Sequence, residues 1–319
     1  MEYINRTRFP GHLFRTAIDD DRIAASLLLR VTYDIRNGEL VPSDEQPWVA
    51  SARPFDTEYG VMPSDQVFYR DGVDILIFGN AWAPEGRKVS ELDVTVEVGD
   101  SFRRTARIIG PRVWYRGVAG LVPSAPAPFT SIPLTVTHAY GGKERWDGTE
   151  IPFAPNPDGT GFYMTEEDAE GQPLPCIEDA RERIATWSDR PAPMGFGFVP
   201  QNASPWLPRV AQIRHDDSIR LELPPLFNSA FPSMVAPRVG AGDGARISGA
   251  SSAGTLSFRI PCALPVARLR FGSSTTERRM PIDQIGVEVE QGRIFVSYRY
   301  PFRYVVRPHQ KRILEVYGI

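Results

Sequence analysis

Four histidines, His12, His138, His215 and His309, and two cysteines, Cys176 and Cys262, are the side chains best suited to metal or nucleophilic chemistry in this chain. No two histidines stand at the i, i+4 spacing that puts two ring nitrogens on one helix face, and neither cysteine has a second close by. No metal site and no cofactor are therefore expected. The cysteines read as structural thiols in a reducing compartment. His138, which precedes Ala-Tyr-Gly-Gly, reads as a hydrogen-bonded residue at a strand end.

A serine hydrolase places its nucleophile on a Gly-x-Ser-x-Gly turn, and that pattern does not occur. The nearest imitation, Ser64-Asp65 after Gly60-Val-Met-Pro63, reads as turn chemistry in which short polar side chains bond to nearby backbone. Gly240-Ala-Gly-Asp-Gly244 lacks the Lys-Ser/Thr that would follow in a phosphate loop, and reads as a turn between strands. Glu166-Glu167 and Asp216-Asp217 could serve glycoside hydrolysis only if carboxylates faced each other across a cleft, and read as solvated charge. No catalytic residue is nominated, and the expectation is a protein that is not an enzyme.

What remains is aromatic and apolar material set in Gly, Pro and Asn. From His138 to Phe198 the sequence holds His138-Ala-Tyr-Gly-Gly142, Asn156-Pro-Asp-Gly-Thr-Gly-Phe162, Leu174-Pro-Cys-Ile-Glu-Asp179 and Pro193-Met-Gly-Phe-Gly-Phe198. Structureless stretches of this length are uncommon inside compact domains, and linkers are poor in aromatic residues. The stretch therefore reads as an ordered, irregular contact surface. With 36 basic and 39 acidic residues the formal charge is -3, and no like-charge block suggests a nucleic-acid arm or a membrane-surface patch. The first residues lack the basic-then-apolar layout of a signal peptide, and the longest apolar run, Ile23 to Leu29, is too short to span a bilayer. A soluble, cytoplasmic protein is expected.

These side chains need a scaffold, and 30 Pro with 27 Gly favour many turns and short strands. A strand ending in Val31-Thr-Tyr33 meets the hairpin turn Asn37-Gly38. Residues 72–82 carry a continuous apolar centre, as in a strand buried on both faces. Leu92–Val98 alternates strictly and leads through Gly99-Asp100 into Ser101–Ile109, the clearest hairpin in the chain. Leu256–Ile260, Ala267–Phe271, Ile285–Glu290 and Arg293–Tyr298 follow, the last two flanking Gln291-Gly292. Between these β-rich ends, helical pieces are expected only near Ile177–Ser188 and Pro205–Arg214. The fold class is mainly β, with antiparallel sheets in a sandwich or barrel-like arrangement, a long irregular loop-rich middle and few short helices. Residues 1–135 form an N-terminal β-rich lobe, 136–235 a loop-rich segment packed on the scaffold, and 236–319 a C-terminal β-rich part.

An ordered series of motifs resembles a bacterial family, the domain of unknown function 2169. It runs through Pro63-Ser-Asp65, Asp74-Ile-Leu-Ile-Phe-Gly-Asn-Ala-Trp-Ala-Pro84 and Gly110-Pro-Arg-Val-Trp114 to Pro128-Phe129 and Ile132-Pro-Leu134. The four motifs between His138 and Phe198 continue it, followed by Leu226-Phe-Asn-Ser-Ala230 and the closing hairpin. The resemblance covers about residues 20 to 305, which makes one continuous family domain an alternative to the three-part division. Cys176 stands where the family has an Asn.

The resemblance implies a non-enzymatic accessory protein of the bacterial type VI secretion system. Such a chaperone or adaptor would stabilise an effector or PAAR-like spike-tip protein and help load it onto the spike trimer. In that reading Tyr140, Trp146, Phe162, Tyr163 and Phe196 line the partner-binding surface. Two other classes stay open. A hydrolase on a β scaffold would gather His138, Asp65 or Glu178 in a deep pocket, and a carbohydrate-binding sandwich would show a planar row of exposed Trp and Tyr.

Overall fold

The computed structural model describes residues 1–17, 20–203 and 228–319. Strands dominate these residues, and the architecture is sandwich-like, with several antiparallel sheets, no closed barrel and few short helices. The largest sheet has seven strands. Its order runs Val235–Ala236, Val73–Phe78, Ile282–Glu288, Arg293–Val305, Arg22–Arg36 and Gly11–Ala17, with Glu39–Pro42 also paired to Arg22–Arg36. Val31 opposes Val296 in an antiparallel register, whereas Ile75 lies beside Ile285 in a parallel one.

Every residue of Val73–Phe78 is buried, as its unbroken apolar sequence requires in a sheet covered on both faces. Asn37 and Gly38 both adopt positive φ, 53° and 81°, the backbone of the two-residue turn whose twist matches the strands it joins.

A second sheet of five strands runs Ile177–Asp179, Phe102–Ile109, Glu91–Val98, Gly244–Ser248 and Leu256–Arg259. Its alternating positions Val94, Val96, Phe102, Ala106 and Ile108 join Leu76, Val287 and Phe295 of the first sheet in one core. A third sheet, ordered Glu2–Asn5, Arg312–Tyr317, Val266–Phe271 and Ser274–Arg279, ties the two ends of the chain together through a parallel pair. N-terminal and C-terminal strands thus contribute to the same two large sheets.

The stretch 177–188, expected to be helical, is a strand followed by turns. Ile177, Glu178 and Asp179 pair with Phe102–Ile109. Downstream, Asp179 accepts the Arg181 N–H, and Asp189 accepts those of Ala185 and Thr186 at 2.8 Å each. Side-chain carboxylates thereby satisfy donors that a helix would have bonded to carbonyls. The single α-helix among the described residues is Glu166–Ala169, capped by the Thr165 hydroxyl. The helix expected near Pro205–Arg214 lies outside the described residues, as do His215 and Asp216-Asp217.

Candidate functional site

The five residues expected to line a contact surface divide sharply. Trp146 is 52 % exposed, at the end of the strand Lys143–Trp146. Tyr140, Phe162, Tyr163 and Phe196 are buried, so the expectation that they face a partner is corrected for these four. The reason is that the irregular stretch builds its own interior. Tyr140, Phe162 and Tyr163 pack with Trp114, Leu121 and Leu174 in a separate apolar cluster, while Phe196 belongs to the main core. The phenols find carbonyl partners, Tyr140 with Asp189 at 2.9 Å and Tyr163 with Pro173 at 2.6 Å. Buried Tyr needs such a partner, and these hydroxyls fasten loop to loop.

The motif glycines have the same structural meaning. Tyr140-Gly141 pairs in parallel with Thr160-Gly161, and the Asn156 amide donates to the carbonyls of Val136 and Tyr140. Gly141, at φ 152°, lies so close to the Asn156 carbonyl that a Cβ would overlap it. His138 ends a 3-10 turn, Val136–His138, and its carbonyl accepts the Cys176 N–H at 2.9 Å. Burial holds the His138 imidazole pKa below its ordinary value and pushes the Cys176 thiol up.

Polar chemistry is concentrated instead inside the seven-stranded sheet. Arg30 donates to both Asp65 oxygens, at 3.1 and 2.7 Å, and to the Ser297 hydroxyl at 2.8 Å. Arg70 meets Asp74 and Asp283 at 3.1 Å each, and Arg299 meets Asp283 at 3.0 Å. These three arginines and three aspartates are all buried. Desolvation raises the Asp74 pKa, against the pull of Arg70, and lowers that of Arg299. Glu178 is committed elsewhere, in a buried pair with Arg112. Asp65 and Glu178 are therefore held in separate ion pairs. Ser64 accepts the Gln66 N–H at 3.0 Å, as a turn residue does, and Glu166 sits in the first turn of the short helix, paired with Arg116.

A cleft of about 820 Å³ lies at the end of Val73–Phe78. Its walls are the tip of the Phe55–Thr57/Gly60–Met62 hairpin, residues 78–80, 134–137 and 197–202, the turn at 290–291, and Asp158. Several of these segments belong to the motifs that carry the resemblance. An aromatic stack makes its floor. Tyr59 and Phe78 lie 4.6 Å apart with planes 21° from parallel, and Phe198 stands 5.1 Å from Phe78. Trp48 and Phe295 back the stack, and Trp48 donates to Glu288 at 3.0 Å. Burial first, and then the carboxylates Glu288 and Glu58, push the Tyr59 phenol pKa well above its ordinary value. Val61 at the hairpin tip is 41 % exposed. Glu58, Asp158 and Glu290 are exposed around the cleft, and Glu290 accepts from Asn80 at 2.7 Å and from the Trp82 indole at 3.1 Å.

The model of a family described as "Uncharacterized protein conserved in bacteria (DUF2169)" matches residues 20–299. The chain belongs to this family. No curated protein and no solved structure matches it. The family match spans every segment of the cleft wall.

Tyr59, Phe78 and Phe198 were not among the nominated surface residues. Each is next to, or one residue from, a glycine, in Tyr59-Gly60, Phe78-Gly79 and Gly197-Phe198. The glycines do not mark the rings, since a Cβ at Gly60 or Gly197 would meet nothing and one at Gly79 would meet the Glu290 carboxylate, so no local signal singled these aromatics out.

Proposed function

We propose that this member of the family is a contact protein that holds a partner in the cleft. In the type VI secretion reading it is a chaperone or adaptor that stabilises an effector or PAAR-like spike-tip protein and helps load it onto the spike. The observation that supports this is the cleft itself. It is large, mostly apolar, floored by stacked rings, and walled by segments from across the family match. Loops held on a rigid β scaffold are where recognition concentrates, and aromatic anchors surrounded by polar groups favour protein contact. A cargo with exposed apolar segments aggregates until assembled. A binder present at about 100 times its Kd stabilises the bound form by about 2.7 kcal/mol through mass action. Trp146 is a second point of contact in this reading.

The test is purification of the tagged protein from its native cell, with partners identified by mass spectrometry. The expected result is an effector or PAAR-like spike protein that is retained by the native chain and lost when Thr137→Trp fills the cleft. An absence of any secretion component among the partners overturns the adaptor reading.

A further inference from the structure

We infer that the cleft takes an extended, apolar polypeptide segment bearing Lys or Arg side chains. This deepens the contact reading above and rests on it. Three exposed carboxylates, Glu58, Asp158 and Glu290, come from three separate segments of the wall, and no Lys or Arg is among the described residues that line it. The rim is therefore one sign of charge over a low-dielectric floor, an arrangement that draws cations and repels anions.

The floor excludes a bare cation as the natural occupant. Over the buried Phe78, Leu134 and Phe198, the part-buried Tyr59 and Val136 and the half-exposed Val61 offer apolar surface that an apolar group can usefully cover. Between floor and rim, Asn80, Gln201, Asn202 and Gln291 present carboxamides, each with donors and an acceptor, and Thr135 and Thr137 add hydroxyls. An extended backbone displays N–H and C=O groups alternately along both edges and needs partners of both kinds. Apolar side chains reach the floor, and alternate basic side chains point to the carboxylates, which is the two-residue period of a strand.

The aromatic geometry favours a peptide over a sugar. Tyr59 and Phe78 stack on one another at 4.6 Å and on Trp48, and Phe78 and Phe198 are buried, so these rings do not present a flat exposed platform for a pyranose ring. A neutral sugar would also leave three rim carboxylates without a charged partner.

Fluorescence anisotropy on the intact purified chain tests the inference, using a short fluorescein-labelled peptide that alternates Lys with Leu and Phe. A matched peptide with Glu in place of Lys and a neutral oligosaccharide are the comparisons. The Lys probe is expected to bind, the Glu probe and the sugar to fail, and added salt to weaken binding. Glu58→Lys with Asp158→Lys should weaken the Lys probe by about tenfold or more. Glu150→Lys, a charge reversal outside the cleft wall, should leave it unchanged, and Thr137→Trp should abolish it. Circular dichroism verifies that each variant is folded.

Equal binding of the Lys and Glu probes overturns the inference. So does an equal loss from Glu150→Lys, which would make the attraction general, or preferential binding of the oligosaccharide. If the native partner is lost on Thr137→Trp while the probes show no charge preference, the contact reading stands and the basic-segment inference falls. If no secretion component co-purifies while the Lys probe binds as described, the adaptor reading falls alone.

Discussion

The seven-stranded sheet and the stretch from His138 to Phe198 are packed in opposite senses to what their sequences advertise. The sheet reads as apolar, yet it encloses Arg30, Arg70 and Arg299 with Asp65, Asp74 and Asp283. The stretch reads as an aromatic surface, yet Tyr140, Phe162 and Tyr163 turn inward to make a small core of their own. Irregular backbone has no ladder to hold it, so its loops must be tied by ring packing and by phenol-to-carbonyl bonds. The sheet is held by its backbone ladders, and its buried charged groups add cross-strand ties, Arg30 to Ser297 and Arg299 to Asp283. Aromatic residues in a loop-rich segment are accordingly poor markers of a binding face. The apolar cleft opens instead at the end of Val73–Phe78, where residues 78–80 meet Gly197-Phe198.

Asp65→Ala gives the sharpest test of that contrast, because it leaves the buried Arg30 guanidinium without its carboxylate. Breaking a buried pair costs about 3–5 kcal/mol, and urea denaturation should read a loss of that size. The double variant Arg30→Met with Asp65→Leu should recover much of it, since apolar replacement of both partners is often neutral. On the loop side, Phe162→Ala should cost about 3 kcal/mol through the cavity it opens in the smaller cluster, while leaving the main sheet's protection from hydrogen exchange in place. A matching loss in the sheet would mean that the two regions are one cooperative unit.

The sheet's own tyrosines supply the pH dependence. Burial raises the Tyr33 phenol to about 12, partly offset by its 3.0 Å bond to Tyr298, against an ordinary value of 10. An acid whose folded pKa is raised contributes stability that is intact below its unfolded pKa and is lost as pH rises through the folded one. Stability should therefore hold below about pH 10 and fall by about 2–3 kcal/mol for this group by about pH 12. Tyr33→Phe should remove that share of the alkaline loss, as followed by unfolding at stepped pH. Tyr140→Phe, which deletes the bond to the Asp189 carbonyl, should cost about 1 kcal/mol. Trp146→Ala should change stability by less than about 0.5 kcal/mol, and any effect it has should appear in partner retention.

Local signals in the sequence carried the fold's hairpins. Strict alternation gave Glu91–Val98 against Phe102–Ile109, and Asn37-Gly38 and Gln291-Gly292 marked two turns of the main sheet. The exposed edge strand Ser274–Arg279 has no buried face, so no hydrophobic period revealed it. The pairing of Glu2–Asn5 with Arg312–Tyr317, and the ion network joining Arg30, Asp65 and Asp283, depend on residues brought together from distant parts of the chain. No window of sequence contains those relations. The cleft was illegible for the same reason, since its walls come from six separated segments and its floor from Tyr59, Phe78 and Phe198. Phe198 lay at the end of the aromatic stretch, but its neighbours in space did not.

Site-specific photocrosslinking in the native cell tests most directly that the cleft is the contact surface. A benzophenone side chain replaces Gln291 at the cleft, and another replaces Arg279 on the exposed edge strand as the reference. The account predicts that Gln291 captures an effector or PAAR-like spike protein, that Arg279 does not, and that Thr137→Trp abolishes the capture. Capture of the same partner from Arg279 but not from Gln291, or capture from Gln291 that survives Thr137→Trp, would contradict it.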